Sequence, residues 1–131
     1  MLCIKNGDNR NFLILDAAMN DLIRPAMYDA YHDIIPIKQS GSLQAETIYD
    51  VVGPVCETGD TFAKNRKMLE LDENDLVAFR SAGAYGAVMA SAYNTRPPAG
   101  EVLVFDGKAH LLRPARSLDS LLAEETIPVF E

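Results

Sequence analysis

An all-β fold (mainly β with short helices), of barrel or sandwich type, is the architecture this sequence predicts. Three observations point there. Its apolar runs are short and rich in β-branched or aromatic residues, as in Thr47-Ile48-Tyr49-Asp50-Val51-Val52. Turn-forming stretches separate them, among them Asn6-Gly7-Asp8-Asn9, Gly53-Pro54 and Asp72-Glu73-Asn74-Asp75. Asp106-Gly107 divides two further runs, and a type I′ hairpin turn needs φ > 0 at both central positions. With 131 residues, 48% of them apolar, the chain is expected to form one β domain, 1–131, with a real core.

The elements follow in order. Leu2–Lys5 and Asn11–Ala17 flank the first turn and predict a hairpin. Pro25 suits the first turn of a short helix, where its missing N–H would be unpaired anyway, and that turn should carry Ala26–Tyr31. His32–Ile37 returns as a strand, with Pro36 marking an edge or a bulge. Lys38–Ala45, rich in Gly and Ser, is expected to be a loop. Thr47–Val52 is a strand ending at Gly53-Pro54, and Asp72–Asp75 turns into the strand Leu76–Phe79. Glu101–Phe105 and Lys108–Leu112 form the Asp-Gly hairpin, and Ser117 caps a final helix reaching about Glu125.

Bulk properties narrow the function. A net charge of −7 with no basic stripe argues against nucleic acid, whose binding draws on Lys and Arg. No apolar run approaches the roughly 20 residues that cross a bilayer. The start, Met1-Leu2-Cys3-Ile4-Lys5, lacks a secretory layout, and Cys3 and Cys56 alone make no disulfide framework. A soluble, cytoplasmic protein is the expectation. The two histidines, His32 and His110, lie at no metal-ligand spacing from a Cys or carboxylate cluster, so each is expected to be structural or at the surface.

Three stretches carry chemistry. Gly53-Pro54-Val55-Cys56-Glu57-Thr58-Gly59-Asp60 sets a thiol beside a carboxylate in a bent segment. A lone Cys after apolar residues is commonly a small buried hydrophobe. An accessible thiol can instead give or take a proton, but the adjacent carboxylate disfavours its charged form, so that reading needs a positive partner from elsewhere. Arg24 and Tyr28 stand at i and i+4 on the expected helix, able to face one cavity. They read either as a solvated Arg with a core Tyr or as a carboxylate grip, for which the guanidinium fork and a phenol are suited. Tyr85, within Gly83-Ala84-Tyr85-Gly86, is the third candidate, because flanking glycines allow close backbone approach and leave the ring open.

In this order the three stretches resemble the carboxy-terminal domain of the diaminopimelate decarboxylases, pyridoxal-phosphate enzymes among the group IV decarboxylases with an alanine-racemase-like fold type. Met19-Asn20-Asp21-Leu22-Ile23-Arg24-Pro25-Ala26-Met27-Tyr28 resembles that family's first landmark. Val52–Asp60 resembles its Gly-Pro-x-Cys-Glu-Ser-Gly-Asp motif, with Thr58 where serine is usual. Gly83–Gly86, followed by Met89, Tyr93-Asn94 and Arg96-Pro97, resembles the next, with Tyr93 in place of the common Phe. The resemblance runs from about Asp16 to Pro98.

The resemblance implies a role for each position. Arg24 and Tyr28 would hold the distal carboxylate of meso-diaminopimelate, Glu57 would pair with the distal ammonium, and Tyr85 would touch both substrate and cofactor phosphate. Cys56 would return a proton after CO₂ leaves. It further implies a homodimer in which Cys56 and Glu57 act in the partner's site. The cofactor, pyridoxal phosphate, would be anchored by a lysine of a (β/α)₈ barrel of roughly 250 residues, for which this chain has no room. The separate chain is therefore expected to lack decarboxylase activity. Two other readings stand beside this one: a non-catalytic binding or oligomerisation module, and the same domain from an ornithine- or arginine-type decarboxylase, whose motif carries Cys-Asp in place of Cys-Glu.

Overall fold

A computed structural model describes residues 1–38 and 45–130, which divide into two compact units, Met1–Ala90 and Ser91–Glu131. The first unit is built on a four-stranded sheet of order β1-β2-β4-β5, formed by β1 (Cys3–Asn6), β2 (Asn11–Ile14), β4 (Glu46–Val52) and β5 (Thr61–Leu69). β1 and β2 are the expected hairpin, paired Cys3↔Ile14 to Asn6↔Asn11, with Gly7 N–H donating to Arg10 C=O at 3.0 Å to close the turn. β2 then runs parallel to β4, so the chain must cross over between them. The crossover carries helix α1 (Arg24–Tyr28) and strand β3 (Ile34–Pro36), which pairs antiparallel with β6 (Val77–Phe79).

Burial explains why this sheet holds. Leu13 and Val51, opposite each other across the β2–β4 pairing, are both fully buried. Leu15, Leu22, Ile34, Tyr49, Phe62, Met68 and Leu71 complete the same core, and the Phe62 and Phe79 rings meet at 4.8 Å between centroids. Tyr49 keeps its polar end satisfied there, its hydroxyl oxygen accepting from Leu71 N–H at 3.4 Å.

β5 has no counterpart among the strands expected from sequence. Its centre, Lys64-Asn65-Arg66-Lys67, is too polar to show an alternating pattern, and the strand bulges there. Tyr49 pairs with Arg66 and Val51 with Ala63, leaving Lys64 and Asn65 opposite Asp50 alone. Asn65 takes a left-handed φ of 50°, and the buried Asp50 carboxylate accepts its N–H at 2.8 Å while pairing with Arg10 at 3.3 Å. The extra residue is thus held by a side chain that periodicity does not reveal.

Helix α2 (Gly83–Met89) is the second departure. Its two glycines lower helix propensity, and no helix was expected in this stretch. Packing overrides that cost: Gly86 is buried, and a Cβ there would stand 3.5 Å from Leu22 Cδ1. Smaller differences concern ends. α1 starts at Arg24 and stops at Tyr28, with Asp29 in the left-handed region (φ 53°), so it does not continue to Tyr31. β3 is shorter than His32–Ile37. The expected loop at Lys38–Ala45 falls mostly outside the described residues.

The second unit holds the Asp-Gly hairpin, β7 (Glu101–Phe105) with β8 (Lys108–Arg113). Asp106 and Gly107 have φ of 48° and 69°, the pair of positive values the turn type demands. Glu101 and Arg113 clasp its open end at 3.3 Å. Helix α3 (Leu118–Leu122) is capped as expected, Ser117 Oγ accepting from Ser120 N–H at 3.1 Å, though it ends before Glu125. A mainly β chain with few helices is therefore what the sequence forms. Its described strands lie in separate sheets of four, two and two strands.

Because Leu13 is 0% exposed, Leu13→Ala should lower unfolding free energy by about 2–5 kcal/mol, read as a reduced urea midpoint with unchanged cooperativity.

Candidate active-site surface

Three segments of the first unit place the chemical residues. Pro25 stands at the start of α1 and is buried, fixing the helix against the body of the unit. Arg24 beside it is half-buried, while Tyr28 at the far end is 60% exposed. The approach to α1 is itself structured: Ala18 N–H donates to Asp21 Oδ2 at 2.9 Å and Asp21 N–H to Ala18 C=O at 2.9 Å. α2 then packs Gly86 under Leu22, two residues before Arg24. That contact brings Tyr85 alongside, and the Arg24 guanidinium carbon lies 5.5 Å from the centre of its ring. The pair is a cation–π contact with the ring still 66% exposed, so the phenol hydroxyl is open to a ligand.

The thiol and carboxylate sit on a compact turn between β4 and β5. Gly53 N–H donates to Asp60 C=O at 3.0 Å, closing its base. Within it Glu57 N–H donates to Val55 C=O at 2.8 Å and Asp60 N–H to Glu57 C=O at 3.0 Å. Glu57 Oε1 accepts from Gly59 N–H at 3.2 Å and Thr58 Oγ1 at 3.3 Å, so its carboxylate is aimed by its own turn. Thr58 keeps the hydroxyl that this contact uses. Cys56 is exposed, which removes the buried-hydrophobe reading.

The structure joins Arg24 to Tyr85 directly and Cys56 to Glu57 by sequence. A cleft of about 320 Å³ opens between α1 and β5, lined by Pro25, Ala26, Asp29, Thr58, Gly59 and Arg66 among others, and none of the five candidate residues lines it. Arg24 and Tyr28 thus do not share this cleft: the guanidinium is drawn onto Tyr85 while Tyr28 projects outward. One residue that the sequence presented only as a turn former is Asp60. It is 3% exposed, and its carboxylate bonds to both Met19 and Val55, ahead of the two candidate groups. The glycine opposite it, Gly53, was the available signal.

The family described as "Pyridoxal-dependent decarboxylase, C-terminal sheet domain" matches residues 1–83. The chain belongs to that family. Among curated relatives, diaminopimelate decarboxylase of Vibrio cholerae is 52% identical over 124 residues, covering 95% of this chain and 29% of the relative. That of Zymomonas mobilis is 51% identical over 122 residues, covering 93% and 28%. The crystal structure of diaminopimelate decarboxylase from M. jannaschii in co-complex with L-lysine superposes with a TM-score of 0.90 at 33% identity, covering 97% of this chain and 29% of that one. The sheet domain therefore spans under a third of the length of the relatives it matches.

The residues present fit the edge of a pyridoxal group and not its anchor. Tyr85 offers an exposed phenol suited to a phosphate oxygen. Lys5, Lys38, Lys64, Lys67 and Lys108 are all exposed, whereas a lysine that condenses with a carbonyl works from a desolvated pocket.

Because Cys56 is exposed and Cys3 only half so, iodoacetamide on the native chain should modify Cys56 first. Peptide mass spectrometry over a time course checks the order.

Proposed function

We propose that this sheet domain serves a diaminopimelate decarboxylase, converting meso-2,6-diaminopimelate to L-lysine and CO₂ when joined to a (β/α)₈ barrel domain. The observation that carries the reading is the pairing of half-buried Arg24 with the exposed Tyr85 ring, together with the Cys56–Glu57 turn, in a chain about half identical to curated diaminopimelate decarboxylases. In that enzyme residues 1–131 act as one domain, with the sheets completing a barrel- or sandwich-like body. The protein works in the cytoplasm.

The substrate suits these side chains. Its far end is a second amino-acid centre, so a selective site needs a cation for the carboxylate and an anion for the ammonium. Arg24 offers two parallel N–H donors to the carboxylate, and Tyr28 adds a hydroxyl donor. Glu57, held by Gly59 N–H and Thr58 Oγ1, accepts from the ammonium. CO₂ leaves the reacting centre, so the product keeps its distal carboxylate on Arg24; lysine offered as a substrate, with its one carboxylate at the reacting carbon, gives Arg24 nothing to hold and is rejected. Pyridoxal phosphate, bound chiefly by the barrel, supplies the electron sink for breaking the Cα–carboxylate bond. CO₂ departs without the bonding pair, and Cα is left needing a proton. Cys56 Sγ then gives its proton to Cα, and the thiolate recovers one from water. In the proposed homodimer Cys56 and Glu57 act in the partner's site, where the cofactor complex supplies the positive charge that a thiol beside a carboxylate lacks.

The test joins this chain to the barrel portion of the Zymomonas mobilis relative and follows CO₂ release from meso-diaminopimelate with added pyridoxal phosphate. The joined protein should be active, and the separate chain should not. Arg24→Ala should lower kcat/KM by about 10²–10³-fold while leaving ornithine turnover, if any, unchanged. Full activity from the separate chain, or a joined enzyme preferring ornithine, would overturn the proposal.

A further inference from the structure

We propose that Asp60 is the positioning residue of this site, holding the segment that leads into α1 and the Cys56–Glu57 turn at a fixed offset through a single carboxylate. The inference deepens the proposed function and rests on it only for what the two segments grip. Oδ1 accepts from Met19 N–H at 2.7 Å, and Oδ2 accepts from Val55 N–H at 2.8 Å. Met19 lies five residues before Arg24, and Val55 immediately precedes Cys56. One carboxylate therefore bonds a residue 41 positions before it and another five positions before it.

Asp60 is itself fixed. Its C=O accepts from Gly53 N–H at 3.0 Å, and its N–H donates to Glu57 C=O at 3.0 Å. These backbone bonds hold its main chain in place while each carboxylate oxygen keeps one partner. Gly53 is its complement: a Cβ there would fall 2.3 Å and 2.4 Å from the carboxylate oxygens. No side chain fits at position 53 unless Asp60 withdraws. Burial strengthens both bonds, because the charge has no water to exchange them for. Asp60 touches neither substrate nor cofactor in this arrangement. It acts through Met19 and Val55.

The wild-type chain can be tested first, with ¹⁵N and ¹³C labels. Through-hydrogen-bond scalar couplings should link the Met19 and Val55 amide nitrogens to one and the same carboxyl carbon, that of Asp60. The Ala18 amide should couple to the Asp21 carboxyl carbon instead. A coupling to Asp60 from only one of the two amides would overturn the proposal, and this measurement needs no variant. In Asp60→Ala, which removes both acceptor oxygens, hydrogen exchange at Met19 and Val55 should accelerate together by about tenfold or more, with the core amides of Leu13 and Val51 at wild-type rates. Acceleration at all four would make Asp60 a general stability residue and overturn the positioning role. In the barrel-joined enzyme, Asp60→Ala should raise KM for meso-diaminopimelate and lower kcat as well, since both segments shift; a loss confined to kcat would contradict it. A joined wild-type enzyme with no activity would count against the proposed function, while couplings from both amides would leave the geometry of Asp60 standing.

Discussion

A buried carboxylate with two backbone N–H groups on it is the constraint around which the candidate site is organised. An apolar side chain in place of Asp60 would strand the amides of Met19 and Val55, held at 2.7 Å and 2.8 Å. Hydrogen bonds to a charged group contribute about 1.5–3 kcal/mol each, and leaving a buried partner unsatisfied costs a similar amount. The core behind it, with Leu13 and Val51 across the parallel β2–β4 pairing, supplies the rigid floor. Floor and carboxylate together turn a sequence motif into a placed group.

From that constraint follow two distinct chemical surfaces on one chain. The Arg24–Tyr85 pair arises from helix packing, with the buried Gly86 of α2 set against Leu22. The Cys56–Glu57 turn arises from backbone bonds between β4 and β5, and its side chains stay exposed. Neither surface encloses a substrate by itself, and the cleft beside them is lined by neighbouring residues. Such open, half-built surfaces are what a domain shows when its pocket is completed elsewhere. In the proposed enzyme the barrel and a second subunit complete them, so a chain under a third the length of its relatives carries selectivity but not the cofactor's anchor.

Local chemistry was legible in the sequence; long-range chemistry was not. The Asp106-Gly107 turn, the Pro25 helix start and the Ser117 cap each depend on a few adjacent residues, and each formed where expected. β5 was missed because Asp50 stabilises its bulge from another strand, while Lys64–Lys67 conceals the alternation. α2 was missed because tertiary packing at Gly86 outweighs the weak helix propensity of its glycines. The motif named Cys56 and Glu57 but gave no reason for Asp60 beyond a turn, since its partner Met19 lies 41 residues away. Likewise the i, i+4 spacing placed Arg24 and Tyr28 on one helix without showing that Tyr85 would claim the guanidinium.

The central claim is that the two surfaces of one chain serve different sites of a dimer, and mixing two variants of the barrel-joined enzyme tests it most directly. Arg24→Ala and Cys56→Ala proteins, each inactive alone, are unfolded together, refolded and assayed. With Cys56 acting across the subunit boundary, each mixed dimer regains one intact site, and activity should return to about a quarter of the wild-type value. No recovery, in a mixture shown to contain mixed dimers, would place Arg24 and Cys56 in the same site from the same chain and contradict the account.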